Sequence, residues 1–227
     1  MGFRVRIGLL LLLLLVCQPL SARAAQPADE SARPDLTPVF VRLRTAAAGI
    51  QSLSSDFVQE KQLAMFDASL LSQGRFLYRQ PAHLRWELLT PVASGFVLRG
   101  RQGERWNSLS QETSTFRIDS DPMMGIIAQQ LLAWARVDID WLKSRYRIVL
   151  LSEQPVRLQL FPRDPGEAGF IEQLQILFAA DNSHVALVEI HEIGGDKTLM
   201  RFSQVEVNRE LPDSDFQAPD FQAPDHK

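Results

Sequence analysis

From Leu53 onward, apolar residues recur at every second position in short segments, and turn residues separate each segment from the next with hardly a gap. No other feature constrains the fold as strongly. A parallel strand pair needs a crossover of about a dozen residues or more, and between Leu53 and Ile118 no stretch is free to supply one. The strands must therefore pair with antiparallel neighbours, as a meander. The segments run from Leu53 to Leu63, Leu70 to Arg79, Leu84 to Leu88, Gly95 to Arg99 and Glu104 to Ser108, with a weaker one from Ser114 to Ile118. Pro81, Pro91 and the Gly100 to Gly103 turn lie between them. The pattern resumes in Tyr146 to Leu151, Val156 to Phe161, Ile171 to Phe178, Val185 to Ile193 and Thr198 to Asn208. Asp181-Asn182-Ser183 and Gly194-Gly195-Asp196 mark tight turns between the last three.

Two stretches follow a helical period instead. Leu36, Phe40, Leu43, Ala47 and Ile50 recur at three- to four-residue spacing; Thr37 is placed to cap this helix, Pro38 suits its first position and Gly49 is a natural stop. Asp121-Pro122 breaks the strand pattern, and Met123, Met124, Ile126, Ile127, Gln130, Leu131, Trp134 and Ala135 predict a second helix. Met124, Ile127, Leu131 and Trp134 are expected on one side of it. Trp141 and Leu142 fit a short helical turn, capped by the Asp138/Asp140 pair. About ten strands with two or three helices make one large, curved antiparallel sheet the economical architecture, with the helices over one face. A sheet too wide to be filled by its own side chains leaves a cavity under such a cover.

The N-terminus predicts export. Arg4 and Arg6 precede a run from Ile7 to Val16 that is apolar apart from Gly8, and Ala22-Arg23-Ala24 supplies small residues before a cut after Ala24. The run is shorter than the roughly 20 residues of a comfortable membrane span, which disfavours an uncleaved anchor. Removing residues 1 to 24 of the 227 also removes Cys17, the single cysteine. Lipidation at Cys17 would want a small residue before it, where Val16 stands. A mature chain without thiol can have no disulfide framework, cysteine nucleophile or thiolate metal site. The mature formal charge becomes −6, because Arg4, Arg6 and Arg23 leave with the signal; this argues against a nucleic-acid binder. Residues 25 to 34 read as a loose leader. At the other end, Phe216 to Asp220 is repeated as Phe221 to Asp225, so the expected division is signal 1–24, domain 25–211 and an unstructured tail 212–227. Charge is uneven: Arg75 to Arg147 holds eleven Lys/Arg against seven Asp/Glu, and residues 148 to 227 hold six against fourteen.

Catalysis finds no support. There is no GxSxG elbow, no HExxH and no glycine-rich phosphate loop; His83, His184, His191 and His226 are scattered, and neither a metal site nor a cofactor is expected. What the chain has instead is large, soft, apolar side chains. Met123 and Met124 open the second helix, and methionine suits surfaces that accept varied apolar partners. Phe57, Phe76, Trp86, Phe96 and Trp106 are spread over successive strands, although alternation allows only some of them to face inward. With Met123, Met124, Ile127, Leu131 and Trp134 they are the candidate lining for an acyl chain.

The order of these features resembles one family. The amphipathic helix leads to Phe57-Val58-Gln59, to a Gly74 strand ending at Pro81, and to Leu84-Arg85-Trp86-Glu87 with Thr90-Pro91. Then come the Gly100/Gly103 turn and Trp106, the methionine-rich helix, the closing hairpins, Phe202-Ser203 and Asn208, and Phe216 with Pro219. The set is similar to that of the LolA-type periplasmic lipoprotein carriers over nearly the whole mature chain. The resemblance implies an open antiparallel barrel of about eleven strands with a lid of short helices over a hydrophobic cavity. It also implies a non-enzymatic, monomeric periplasmic carrier that receives acylated lipoproteins, or another acyl lipid, from an inner-membrane donor complex and delivers them to an outer-membrane acceptor. A lipid-sensing or protein-interaction module of the same fold is the alternative. A carrier is needed because exposing one sixteen-carbon chain to water costs about 12 kcal/mol, at about 0.8 kcal/mol per methylene. One departure concerns lid control. Many family members carry an Arg-Pro pair after the second strand, whose arginine is thought to latch the lid; here the pair is Gln80-Pro81, with Arg79 one step earlier. A one-residue offset turns a strand side chain to the opposite face, so Arg79 and Gln80 are unequal candidates for the latch.

Overall fold

The computed structural model describes residues 35–65 and 68–221. Helix α1 (Thr37–Ala47) is followed by six strands: β1 (Ser52–Leu63), β2 (Ala68–Arg79), β3 (His83–Thr90), β4 (Ser94–Arg99), β5 (Gln102–Asn107) and β6 (Glu112–Arg117). Helices α2 (Pro122–Arg136) and α3 (Ile139–Arg145) come next. They lead to β7 (Tyr146–Glu153), β8 (Val156–Pro162), the short α4 (Pro165–Ala168), β9 (Ile171–Phe178), β10 (Val185–Glu192), β11 (Lys197–Val207) and a 3-10 turn at Asp213–Phe216.

All eleven strands form one antiparallel sheet in the order β6-β5-β4-β3-β2-β1-β11-β10-β9-β8-β7. Every neighbour is a sequence neighbour except the central pair, β1 with β11, and the sheet is open between β6 and β7. The chain must travel from one outer edge to the other between β6 and β7, and the elements it uses are α2 and α3. This is why a helix lies across the sheet and does not merely decorate it. Buried residues of α1, α2 and α3 share one core with the sheet, including Leu43, Leu131 and Leu142 from the helices and Phe57, Leu84 and Leu160 from the strands.

Local chemistry explains the element ends. Asp121 caps α2, accepting from the Met124 N–H at 3.1 Å, and Asp138 caps α3, accepting from the Trp141 N–H at 2.9 Å. Helix α1 begins differently from the expectation: Leu36 holds the cap position, no side chain caps the helix, and Thr37 is already helical. Asn208 joins the first and last strands where α1 ends. Its Oδ1 accepts from the Gln51 N–H at 2.7 Å and its Nδ2 donates to the Gly49 carbonyl at 3.0 Å.

The proposed unstructured tail is divided by the structure. The 3-10 turn at Asp213–Phe216 is docked on the sheet with Phe216 only 1 % exposed, so the first copy of the five-residue repeat begins on a core residue. Residues 222–227, most of the second copy, lie outside the described residues, as do the signal segment and the leader up to residue 34.

Candidate functional site

The register separates two faces of the β1 to β6 half-sheet. Leu53 pairs with Tyr78, Ser55 with Phe76 and Phe57 with Gly74. Phe76 pairs in turn with Trp86, and Trp86 with Phe96. These residues face the helices. Phe57 stacks on Trp86 with ring centres 4.0 Å apart, Phe76 meets Trp86 edge-on at 6.1 Å, and Phe202 of β11 touches all three rings at 6.0 to 6.5 Å. Gly74 makes this packing possible. A Cβ there would lie 2.2 Å from the Phe57 ring and 2.4 Å from the Glu87 carbonyl oxygen. Phe96 continues the inner face toward the edge, where it meets Phe116 at 6.0 Å.

Helix α2 covers this face, with one side buried in its first half and every residue from Leu131 to Ala135 buried in its second. Met124, Leu131 and Trp134 are buried, with Ala128 and Ala135 between them. Met123 is 72 % exposed and Ile127 39 % exposed, so two residues expected in the lining stand on the solvent side, beside the exposed Ile126. Between α2 and the sheet lies a small, mostly apolar pocket lined by Leu53, Ser55, Phe76, Phe202 and Val205 from the sheet and by Leu131, Trp134 and Ala135 from the helix. It offers about 20 Å³ to the centre of a water-sized sphere. Phe202 and Ser55 escaped the sequence-based choice. The signal for Phe202 is tertiary, since it faces Phe57 only because β11 pairs with β1.

Trp106 does not belong to this set. It pairs with Gly95 and Thr113, one step out of phase with Phe96, and so lies on the opposite face, where the Arg85 guanidinium sits over its ring at 5.1 Å. That outer face is covered by the chain after β11. Leu211 and Phe216 pack on Leu77, and Arg85 donates to the Asp215 carbonyl at 3.1 Å and the Gln217 carbonyl at 2.8 Å while it pairs with both oxygens of Glu87. Arg79 acts on the same side. It donates to the Leu211 carbonyl at 2.6 Å, pairs with Asp213 and lies over the Phe216 ring at 5.1 Å. Arg79 thus holds the C-terminal segment and not a helix over the inner face. Burial, together with the nearby Arg79 charge, holds the His83 imidazole below its ordinary range; its ring meets Phe216 at 5.4 Å.

Gln80 is also occupied elsewhere: its Nε2 donates to the Ile50 carbonyl at 2.7 Å, fastening the connection between α1 and β1. The arginine that ties α2 to the β2–β3 turn comes from the helix itself. Arg136, in the last turn of α2, donates through Nε to the Tyr78 hydroxyl at 3.1 Å and through Nη2 to the Pro81 carbonyl.

His184 and His191 have local partners. The Ser183 hydroxyl contacts the His184 ring at 2.8 Å and the Asp181 carboxylate, all within one tight turn, and His191 contacts Glu189 at 2.6 Å on a surface strand. Among the described residues, no group of three or more His, Cys, Asp or Glu is placed to hold a metal ion. None of the described helices is long and apolar enough to cross a membrane.

Comparison with known proteins agrees with this geometry. Residues 48–219 match the family model of the outer membrane lipoprotein carrier protein LolA. The outer-membrane lipoprotein carrier protein of Pseudoalteromonas translucida is 21 % identical over 179 residues, covering 77 % of this chain and 80 % of that protein. An uncharacterized conserved protein of Thermus thermophilus, 8 % identical, superimposes with a TM-score of 0.51 over 82 % of this chain and 95 % of its own. A LolA-superfamily protein of Nitrosomonas europaea is similar at 12 % identity and a TM-score of 0.44, covering 80 % and 96 % of the two chains. With a family match that begins before β1 and runs past the docked Phe216, this chain belongs to the LolA family of outer membrane lipoprotein carrier proteins.

Proposed function

We propose that this chain is a non-enzymatic periplasmic carrier that shelters acyl chains, of lipoproteins or of a related acylated lipid, between α2 and the inner face of the sheet. The observation that carries the reading is the inner-face aromatic cluster of Phe57, Phe76, Trp86 and Phe202, of which Phe76 and Phe202 line the pocket beneath the buried residues of α2. Ligand pockets for small molecules measure about 300–1,000 Å³. The pocket under α2 is far smaller, so loading requires α2 to move away from the floor. Helix α2 acts as the lid, Met124, Leu131 and Trp134 as its inner lining, and the Arg136 contacts to Tyr78 and Pro81 as its latch. The exposed Met123, Ile126 and Ile127 meet the cargo, or the membrane proteins that exchange it, when the lid opens.

In this reading residues 1–24 direct export and are removed after Ala24, and the mature protein works as a monomer. It takes its load from an inner-membrane donor complex and yields it to an outer-membrane acceptor; nucleic acid has no part. Native mass spectrometry of the protein purified from a periplasmic extract tests the proposal. Co-purifying acylated protein or lipid is the expected result. A protein that is reproducibly unloaded and also fails to take up a fluorescent fatty acid would exclude carriage and leave a protein-interaction role.

A further inference from the structure

Two buried polar groups in the apolar pocket have no role in anything described so far. The Ser55 hydroxyl and the Trp134 indole nitrogen have no hydrogen-bond partner among the described residues. Both residues line the pocket, and they are 3 % and 7 % exposed. Buried donors are nearly always paired, and alanine at 55 or phenylalanine at 134 would fill the same places without an unpaired group. Ser55 belongs to the sheet side of the pocket lining and Trp134 to the α2 side.

The strand beside Ser55 is also irregular. The β1–β11 ladder pairs Ser54 with Glu206 and Asp56 with Ser203, so Gln204 and Val205 both stand opposite Ser55, with Gln204 at φ 51°. A bulge of this kind opens the ladder and re-aims its side chains, and here Phe202 and Val205 on either side of Gln204 both line the pocket. A buried water typically makes about three hydrogen bonds. The two side-chain groups reach only the lower end of that number, and the remaining pocket walls named above are hydrocarbon.

We propose that Ser55 and Trp134 form a carbonyl subsite for the head of an acyl chain. The Trp134 Nε1–H and the Ser55 Oγ–H donate to one carbonyl oxygen of an ester, amide or carboxyl group, and the hydrocarbon that follows lies along Phe57, Phe76, Trp86 and Phe202. One oxygen with two lone pairs satisfies both donors at once, and an alkane satisfies neither. The subsite deepens the carrier reading and rests on it. It adds selection of acyl compounds over plain hydrocarbon, and it gives a reason for a serine between Leu53 and Phe57 on the inner face of β1.

The test uses the mature protein with three probes of equal chain length: methyl laurate, laurate and dodecane, each competing against a bound fluorescent fatty acid. Wild type should favour methyl laurate over dodecane. Ser55→Ala and Trp134→Phe should each lower that preference by about three- to tenfold, the worth of one hydrogen bond. Comparing preferences cancels differences in probe hydrophobicity and in overall lid packing. The carbonyl stretch of isotopically labelled methyl laurate should shift to lower frequency on binding, and the shift should shrink in both variants. The thermal midpoint of Ser55→Ala should be equal to or above that of wild type. Laurate following methyl laurate assigns the site to any acyl carbonyl, and laurate binding like dodecane restricts it to esters. Binding of all probes with preferences untouched by either substitution overturns the subsite and leaves the carrier standing, with the two groups serving only a trapped water. Failure of every probe to bind overturns both.

Discussion

The two faces of the β1 to β6 half-sheet are each covered by a later part of the chain, and the covers differ in how they are held. On the outer face, the C-terminal segment is fixed by two arginines that donate to four of its acceptors, and Phe216 is driven into a closed site against Leu77. On the inner face, the end of α2 is held at the β2–β3 turn by one arginine, Arg136. Apart from the Ser55 hydroxyl and the Trp134 indole nitrogen, the pocket between α2 and the sheet is apolar, and such contacts are non-directional and can be exchanged for other hydrocarbon. A strap should be costly to lift and a lid should not. The outer cover is built as the first, and in the proposed function the inner cover acts as the second.

The largest effects should come from the strap. Phe216→Ala should lower unfolding free energy by about 3–5 kcal/mol in urea denaturation, and Arg85→Leu by a similar amount because Glu87 is left without its partner. Neither should change the chain-length preference of acyl binding in protein that is still folded. Gly74→Ala tests the floor itself, where a Cβ would strike the Phe57 ring and the Glu87 carbonyl; a cost of about 1–3 kcal/mol with displaced Phe57–Trp86 stacking is expected, read from near-ultraviolet circular dichroism.

Arg136→Gln should behave in the opposite sense to Arg85→Leu. Stability should fall by only about 1 kcal/mol, because Arg136 is exposed, while stopped-flow uptake of a fluorescent fatty acid speeds up. A larger stability loss for Arg136→Gln than for Arg85→Leu would reverse the comparison. The smallest effect is electrostatic. In the folded protein burial and Arg79 keep His83 neutral below its ordinary value of 6.5, so on acidification the unfolded chain takes up this proton first. Stability from this group is present above about pH 6.5 and is lost as pH falls toward the folded value. The urea midpoint of wild type should therefore drop more between pH 7.5 and pH 5.5 than that of His83→Gln.

Much of the fold was legible in the sequence, and the site only in part. Strand positions, turns, the break at Asp121-Pro122 and the cap at Asp138 are local properties of the chain, and they stand where spacing and turn residues put them, whereas Thr37 does not cap α1. Phe57, Phe76, Trp86 and Phe96 fall on the inner face of the sheet, and Met124, Leu131 and Trp134 among the buried residues of α2. Trp106, Met123 and Ile127 lie elsewhere, for different reasons. Trp106 is apolar and buried like its neighbours, but on a face whose cover comes from a segment that reads as polar tail. Ile127 sits at the margin of a helix that is apolar on more than one side, and hydrophobicity alone cannot rank such margins.

Alternation determined by itself that neighbouring residues on these strands face opposite ways, and tight turns determined that the strands are antiparallel. Neither property says which parity faces the helices when both faces are covered, because apolar residues then occur at both. That choice was made by tertiary structure. The pairing of β1 with β11 brought Phe202 and its bulge to the floor, the crossing from β6 to β7 laid α2 over it, and the return of residues 209–221 turned Leu77, Arg79, Arg85 and Trp106 into the support of a strap. Each of these contacts joins segments far apart in the chain, and a local pattern carries no record of them.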